Sequence, residues 1–335
     1  MPAYNGRFVE PFVGGGAVFF DTINEKCYIN DKSIDLINLY NCIKHRNKDM
    51  AIYIQLLYDE FKSIGIFVLQ YQNEILDLYH SKDSVDSFVE KHISFFSCLA
   101  VGYSDIFIKE LKRNLRNKIV RSQKLEKSYG CISNEERKDN IEAALKSAYY
   151  MFVRYLFNNQ QYLSVGRRAA VFFFIREYCY SSMFRYNKDG YFNVPYGGIS
   201  YNKKDFQKKI DYILSDDVCN KLNNADIQSM DFEDYLFSLN LTNDDFLFLD
   251  PPYDTNFSTY AQNTFDADEQ IRLCNLLKNT PAKIMLVINN TEFIYNLYKN
   301  DFYIFSFNKK YLVSFKNRNN RTVKYLVITN YVVDL

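Results

Sequence analysis

Between about Met50 and Leu156 the chain carries long helical periodicities with almost no glycine or proline to break them: "MAIYIQLLYDEFKSI", "SVDSFVEKHISFFSCLA", "IFIKELKRNLRNKIVRS" and "NIEAALKSAYYMFVRYLF". On either side the pattern changes. Short apolar runs closed by glycine, proline or an acid alternate with amphipathic stretches. Such runs read as buried strands, and apolar recurrence at three and four residues reads as helix. Two α/β pieces therefore flank a helical insert and share one sheet.

The first piece reads strand (Arg7–Val9), turn (Gly14-Gly15-Gly16), helix ("AVFFDTIN"), strand ("KCYIND") and helix ("KSIDLINLYNCIK", with Ile34, Leu36, Ile37 and Tyr40 apolar). This is how a doubly wound sheet opens. The last third continues it with a strand "DFLFLD", a helix with an acidic start "DADEQIRLCNLLKN" and a strand "AKIMLVINN". "DFYIFSFNKK" and "TVKYLVITNY" around the polar "FKNRNNR" form a terminal hairpin. Residues 171–200 are mixed, with turns at "NKDG" and "YGG".

Composition narrows the class. With 335 residues, 47% apolar and 24% charged, the chain is globular and long enough for one large domain or two ordinary ones. A net charge of +1 predicts no partner, so any nucleic-acid surface rests on local asymmetry. The odd count of seven cysteines, with no C-x-x-C pair, opposes a disulfide framework and a zinc site; His45, His80 and His92 have no ligand spacing to them. No protein-bound metal is expected. "MPAYNGRFVEPFVGG" lacks the apolar core of a signal peptide, and no apolar run reaches the ~18 residues of a membrane span. A cytoplasmic, DNA-associated location without a membrane is the expectation.

Chemistry concentrates at the strand ends. In "FVEPFVGGGAVFF" a strand runs through a glycine turn into a helix, where backbone can approach a ligand and helix N–H groups are open. A dinucleotide fingerprint would need glycine at the position of Phe19. Glu10, ahead of the turn, suits a ligand with positive or hydroxyl groups. Asp31, ending the second strand, suits a ribose hydroxyl. Read singly, these are also what a tight connection and a solvated turn look like. In "DFLFLDPPY", Pro251 and Pro252 stop a buried strand because neither can donate a backbone hydrogen bond. Asp250 and the carbonyl after it offer two acceptors, and Tyr253 offers a flat face. An exocyclic amine on a planar ring matches that set.

Together "EPFVGGGAVFF", "INDKSIDLINLY", "FRYNKDGYFNVPYGG" and "DFLFLDPPY" resemble the Dam-type (D12 class) family of DNA adenine-N6 methyltransferases, over about residues 7–57 and 150–335. The resemblance implies an α/β fold: a Rossmann-like S-adenosylmethionine-dependent methyltransferase sheet with a helical DNA-recognition insert and a C-terminal β-hairpin. It divides the chain into a catalytic domain, residues 1–57 and 225–335, and an insert, residues 58–224, with a recognition hairpin at about 178–200. It implies S-adenosylmethionine bound by Glu10, Pro11, Phe12, Gly14, Gly16, Asp31, Asp231, Phe232 and Asp250. Asp250, Pro251, Pro252 and Tyr253 are then the catalytic segment holding a flipped-out adenine of double-stranded DNA. The hairpin residues Tyr180, Ser181, Arg185, Asn187 and Pro195 are implied in DNA contact, with Arg185 at a base-reading position and Ser181 in place of a common Asn. Lys316, Arg318 and Arg321 of the terminal hairpin are implied at phosphates.

Two features stand outside the resemblance. Residues 109–127 hold eight Lys or Arg against Glu110 and Glu126, net +6, with Phe107, Leu111, Leu115 and Ile119 as a packing stripe. This is either a solvated face or a nucleic-acid contact. The family also commonly begins with a Lys-, Trp- and Gly-rich segment completing the cofactor pocket, whereas only "MPAYNG" precedes Arg7. That departure motivates the alternative of a DNA-binding, methyltransferase-like subunit needing a partner in a restriction or defence assembly. Cytosine-C5 chemistry is excluded, since no Pro-Cys pair supplies its nucleophile; cytosine-N4 or RNA methylation is chemically closer. The expected partners beyond DNA are a partner subunit or a cognate nuclease.

Overall fold

The structure, a computed structural model, describes residues 2–23, 26–80, 84–100, 102–252, 265–310 and 322–333. It forms two compact units. Met1–His45 with Asp216–Leu335 makes the first, and Arg46–Ser215 the second.

The first unit is built on β1 (Phe8–Glu10), β2 (Cys27–Asn30), β3 (Ala225–Gln228), β4 (Phe246–Leu249), β5 (Lys283–Asn289), β6 (Tyr303–Lys310) and β7 (Thr322–Thr329). These described strands form one sheet in the order β3-β2-β1-β4-β5-β7-β6. β1 to β5 are parallel, and β7 enters antiparallel between β5 and β6. Strands covered on both faces read as unbroken apolar runs: Phe8, Val9, Ile29, Phe246, Leu247 and Leu249 are all fully buried. The helices are α1 (Ala17–Asp21), α2 (Ile34–Lys44), α11 (Asp216–Asn223), α12 (Phe232–Ser238), α13 (Ala267–Lys278) and α14 (Glu292–Tyr298). Leu273, Cys274 and Leu277 of α13 share a core cluster with Leu247, Leu249, Ile284 and Leu286 of the sheet. β3 and the C-terminal hairpin complete the α/β sheet that both flanks of the sequence share.

The amino-terminal edge of this sheet is fastened by charge. Arg7, just before β1, reaches Asp245, just before β4, through Nε at 3.0 Å and Nη2 at 2.7 Å. Its backbone N–H donates to the same carboxylate at 2.9 Å. Arg7 and Asp245 are 238 residues apart in sequence, so this fork helps fix the register of β1 against β4.

The second unit contains α3 (Lys48–Gln70), α4 (Gln72–His80), α5 (Val85–Lys91), α6 (Ile93–Cys98), α7 (Ser104–Tyr129), α8 (Asn134–Asn158), α9 (Val165–Tyr178) and α10 (Gln207–Ile213). α3 runs unbroken through the domain boundary expected after residue 57. At the other end α11, ahead of the boundary expected at 225, belongs to the first unit. The spacing-derived stripe of α7 packs as read: Phe107, Leu111, Leu115 and Ile119 are fully buried. α8 begins with a capping box between Ser133 and Glu136. Gly166 lets α9 meet the start of α3, since a Cβ there would lie 2.8 Å from the Met50 backbone nitrogen. Phe61 is the centre of an aromatic core, 4.3 Å from Tyr178 and 5.7 Å from Phe174 between ring centroids.

Candidate active site and recognition hairpin

Strand order turns at β1 and β4. From β1 the chain passes outward through β2 on one side, while β4 and β5 lie on the other. Loops leaving the carboxyl ends of two such strands diverge, and ligands of doubly wound sheets sit there. The residues following β1, β2, β3 and β4 at that edge are Pro11–Gly16, Asp31, Ser229–Asp231 and Asp250.

Glu10 closes β1 and is 2% exposed. Burial, and then the charge of Asp250, push its carboxyl up to about 8; a hydrogen bond from the Phe19 backbone offsets part of this. Its Oε2 has no hydrogen-bond partner among the described residues. A buried acceptor left unpaired is costly, so it marks a place where a donor from outside the fold is welcome.

The glycine turn is held by its neighbours. Gly14 has φ +48°, and nothing described lies within 4 Å of where a Cβ would stand, so its backbone is open to approach. Its N–H donates to Asp31 Oδ2 at 3.0 Å, and its carbonyl accepts from the Tyr40 hydroxyl at 2.8 Å. Gly16 has φ +69°, and a Cβ there would stand 2.7 Å from the Phe20 ring. Asp31 Oδ1 accepts from the Ser33 N–H at 2.8 Å. Both Asp31 oxygens thus shape the turn.

Asn30, buried at the end of β2, joins three loops. Its amide donates to the Pro11 and Met230 carbonyls, each at 3.1 Å, and accepts from the Met230 N–H at 2.8 Å. Sequence reading gave Asn30 no role, although a polar residue as the last member of a buried strand was the signal, and it took Tyr40 only as part of an apolar helix face. Asp231 caps α12 through the Glu233 N–H and pairs with Arg272 at 2.7 Å. Phe232 is buried against Phe12 and Phe265, with the Arg272 guanidinium 4.4 Å from its ring centroid.

Asp250 follows β4 and is exposed, Pro251 is buried and Pro252 is exposed. Gln270 of α13, fully buried, donates to the Pro252 carbonyl at 3.1 Å and so anchors the segment from behind. Gln270 was not singled out in the sequence, where it is one polar letter in an amphipathic helix. Tyr253, Lys316, Arg318 and Arg321 lie outside the described residues.

Within the second unit, residues 178–197 form an antiparallel hairpin. Bridges pair Cys179 with Tyr196 and Tyr186 with Phe192. Tyr180 N–H donates to Pro195 at 2.9 Å, and Asn193 N–H donates to Arg185 at 3.0 Å. Asn187 Oδ1 accepts from Asp189 and Tyr191 N–H, so it closes the turn. Ser181 and Ser182 both have left-handed backbones, φ 54° and 52°, where Asn or Gly is more at ease. Tyr180 and Pro195 are exposed and Arg185 is half-buried. Of the basic residues on α7, Lys112 and Arg116 pair with Asp86 and Arg113 pairs with Glu110, so part of that charge is neutralised within the unit. Among the described residues no helix is long and apolar enough to cross a membrane.

Residues 1–93 and 101–313 match the family described as D12 class N6 adenine-specific DNA methyltransferase. The type II methyltransferase M.CviBI of Paramecium bursaria Chlorella virus NC1A is 28% identical over 99% of this chain and 92% of its own length. The type II methyltransferase M.MjaIII of Methanocaldococcus jannaschii is 30% identical over 88% of this chain and 77% of its own. The DNA adenine methylase of Escherichia coli K12 is 24% identical over 85% and 71% respectively.

Proposed function

The chain belongs to the D12 class of N6 adenine-specific DNA methyltransferases, and on that premise we propose how its residues divide the work. The enzyme transfers a methyl group to N6 of adenine in DNA, and S-adenosylmethionine is the donor its class uses. The carboxyl edge of the first unit fits that donor. The single observation that carries this is the unpaired, buried Glu10 oxygen beside Asp250, since the methionine end of the donor brings an ammonium group. Glu10, Pro11, Phe12, Gly14 and Gly16 form the wall at the glycine turn. Asp31 takes ribose hydroxyls while holding the turn. Asp231 and Phe232 lie toward the donor's adenine. When bound, the donor supplies a methyl already activated by a sulfonium charge, so the protein's task is placement.

Asp250 and the Pro251 carbonyl accept from the two N–H groups of the target amine. This turns its lone pair toward the methyl and favours the positive charge that grows on nitrogen. Gln270, through the Pro252 carbonyl, keeps the segment from shifting. Tyr253 stacks on the base. The target atom is inside the duplex, so the adenine is flipped out to reach these groups. The second unit supplies sequence reading: Arg185 contacts a base edge, Tyr180 fills the space the adenine leaves, and Ser181, Asn187 and Pro195 border them. Lys316, Arg318 and Arg321 meet phosphates. A cognate nuclease reading the same sequence is the partner that the type II names of its relatives support.

Asp250→Ala tests the core of this reading. Methylation, scored by protection from a methylation-sensitive nuclease, is expected to fall by at least about a thousandfold, while DNA binding in a gel-shift assay persists. Protection that survives the substitution would remove Asp250 from catalysis.

A further inference from the structure

The recognition hairpin is not self-supporting: its second strand is bonded to one face of α8. Asn158 holds Phe192 at both backbone groups, accepting from its N–H at 2.8 Å and donating to its carbonyl at 3.1 Å. An amide side chain is here doing what a neighbouring strand would do. Tyr150 and Arg154 both donate to the Val194 carbonyl, at 3.0 and 3.3 Å. Residues 150, 154 and 158 recur every four positions and so share one side of the helix. Phe192 and Val194 are buried at 1% and 0%. Asn193 stands between these pinned residues, and by strand alternation its side chain points the other way.

That side chain meets Arg185. Asn193 Oδ1 accepts from Arg185 Nε at 2.8 Å, and the two residues are also joined by the backbone bond from Asn193 to the Arg185 carbonyl. We propose that Asn193 is a positioning residue for sequence specificity: with α8 as its platform, it fixes the plane of the Arg185 guanidinium so that the terminal nitrogens present a rigid fork to a guanine edge. The inference rests on the reading of Arg185 as a base contact. Its physical basis is the geometry of arginine. Bidentate recognition of guanine O6 and N7 uses two nitrogens in a fixed plane. An arginine side chain has several rotatable bonds, and a fork that wanders among their rotamers discriminates poorly between bases. Holding Nε removes that freedom before DNA arrives.

Genomic methylation in a host lacking its own adenine methylation separates the possibilities. Arg185→Ala is expected to relax one base position of the motif, lowering its preference for the correct base about tenfold or more. Asn193→Ala is expected to relax the same position by a similar factor, and to add less than about twofold when combined with Arg185→Ala. Asn193→Asp keeps an oxygen for Nε and is expected to retain the motif. A purely structural role for Asn193 would not produce loss at one base with rescue by Asp. If Arg185→Ala relaxes the motif and Asn193→Ala leaves it intact, the positioning role is wrong. An intact motif in Arg185→Ala would instead overturn the reading of Arg185, and the inference with it. Should Asn193→Ala not fold, the wild-type protein still decides. Its Arg185 Nε–H, followed by nitrogen-15 NMR, is expected to exchange at least tenfold more slowly than that of an exposed arginine, and exchange at the free rate would refute the bond.

Discussion

Two carboxylates on neighbouring strands, one at each edge of the sheet, are equally hidden from solvent and behave in opposite ways. Asp245 precedes β4 and Glu10 ends β1, and each is 2% exposed. Burial alone would raise both. For Asp245 burial raises the carboxyl, but the Arg7 guanidinium and backbone N–H and the Thr242 N–H, between 2.7 and 3.0 Å, outweigh it and hold it at about 2. For Glu10 burial prevails, helped by Asp250, and the carboxyl rises to about 8 with one oxygen unpaired. Donor supply separates them, together with the deeper setting of Glu10 inside the sheet. The amino edge of the sheet is finished by the fold itself, whereas the carboxyl edge is left for a ligand to finish.

Removing the satisfied carboxylate should cost the most stability. Among the described residues, Asp245→Ala leaves the Arg7 fork with the Leu239 and Asn240 carbonyls and the face of the Tyr28 ring. Breaking a buried pair from one side typically costs about 3–5 kcal/mol; this pair is part-buried, so about 2–3 kcal/mol is expected, and urea unfolding at pH 7 measures it. The pH sign follows from the lowered value. The Asp245 contribution is fully present above about pH 4 and is lost as pH falls through about 2. Across that window wild type should lose about 2 kcal/mol that Asp245→Asn does not lose. Equal acid sensitivity of the two proteins would contradict the assignment.

Glu10→Gln tests the opposite case and should act in the opposite direction. The raised carboxyl is neutral in the fold and costs nothing below about pH 4.5. Stability is then lost as pH rises toward about 8, because the unfolded chain ionises first. Ligand-free Glu10→Gln should therefore be more stable than wild type at pH 8 to 9, by on the order of 2–4 kcal/mol, with the difference vanishing near pH 4.5. S-adenosylmethionine should bind it more weakly, by about tenfold or more in isothermal titration. A variant that is stabilised yet binds the donor as tightly as wild type would show that Glu10 serves no ligand.

Much of the sheet was legible in sequence. "DFLFLD", "KCYIND" and "AKIMLVINN" are apolar runs that end in acids or amides, and each is a strand; the first two end at the candidate site and the third runs parallel beside β4. The helical insert was legible for the same reason, through periods of four such as Phe107, Leu111, Leu115 and Ile119. β3, "ADIQ", gave no signal: only Ala225 is fully buried, and the strand exists because β2 pairs with it. The residues that organise the loops were equally silent. Asn30, Gln270, Asn158 and Asn193 act through single amides on backbone or side-chain atoms 8 to 34 residues away. Amides carry no periodicity, and their partners are chosen by the fold. The orphaned oxygen of Glu10 is of the same kind, since only packing decides which acid receives donors.

The smallest change asks whether the amino edge depends on each donor or only on the Arg7 fork. Thr242→Val removes the hydroxyl that reaches Asp245 Oδ2 at 3.2 Å but keeps the N–H bond to the same oxygen at 2.8 Å and nearly the same side-chain volume. Thr242 is exposed, so the lost hydroxyl leaves no buried donor behind. The expected cost is about 0.5–1 kcal/mol at pH 7, the net worth of one ordinary hydrogen bond. The cost should shrink in acid as Asp245 protonates, because a neutral carboxyl gains less from a donor. Paired urea titrations at pH 7 and pH 2 would read both numbers. A cost unchanged between the two would mean that Thr242 supports the turn and not the charge, and the low value of Asp245 would then belong to Arg7 and the backbone alone.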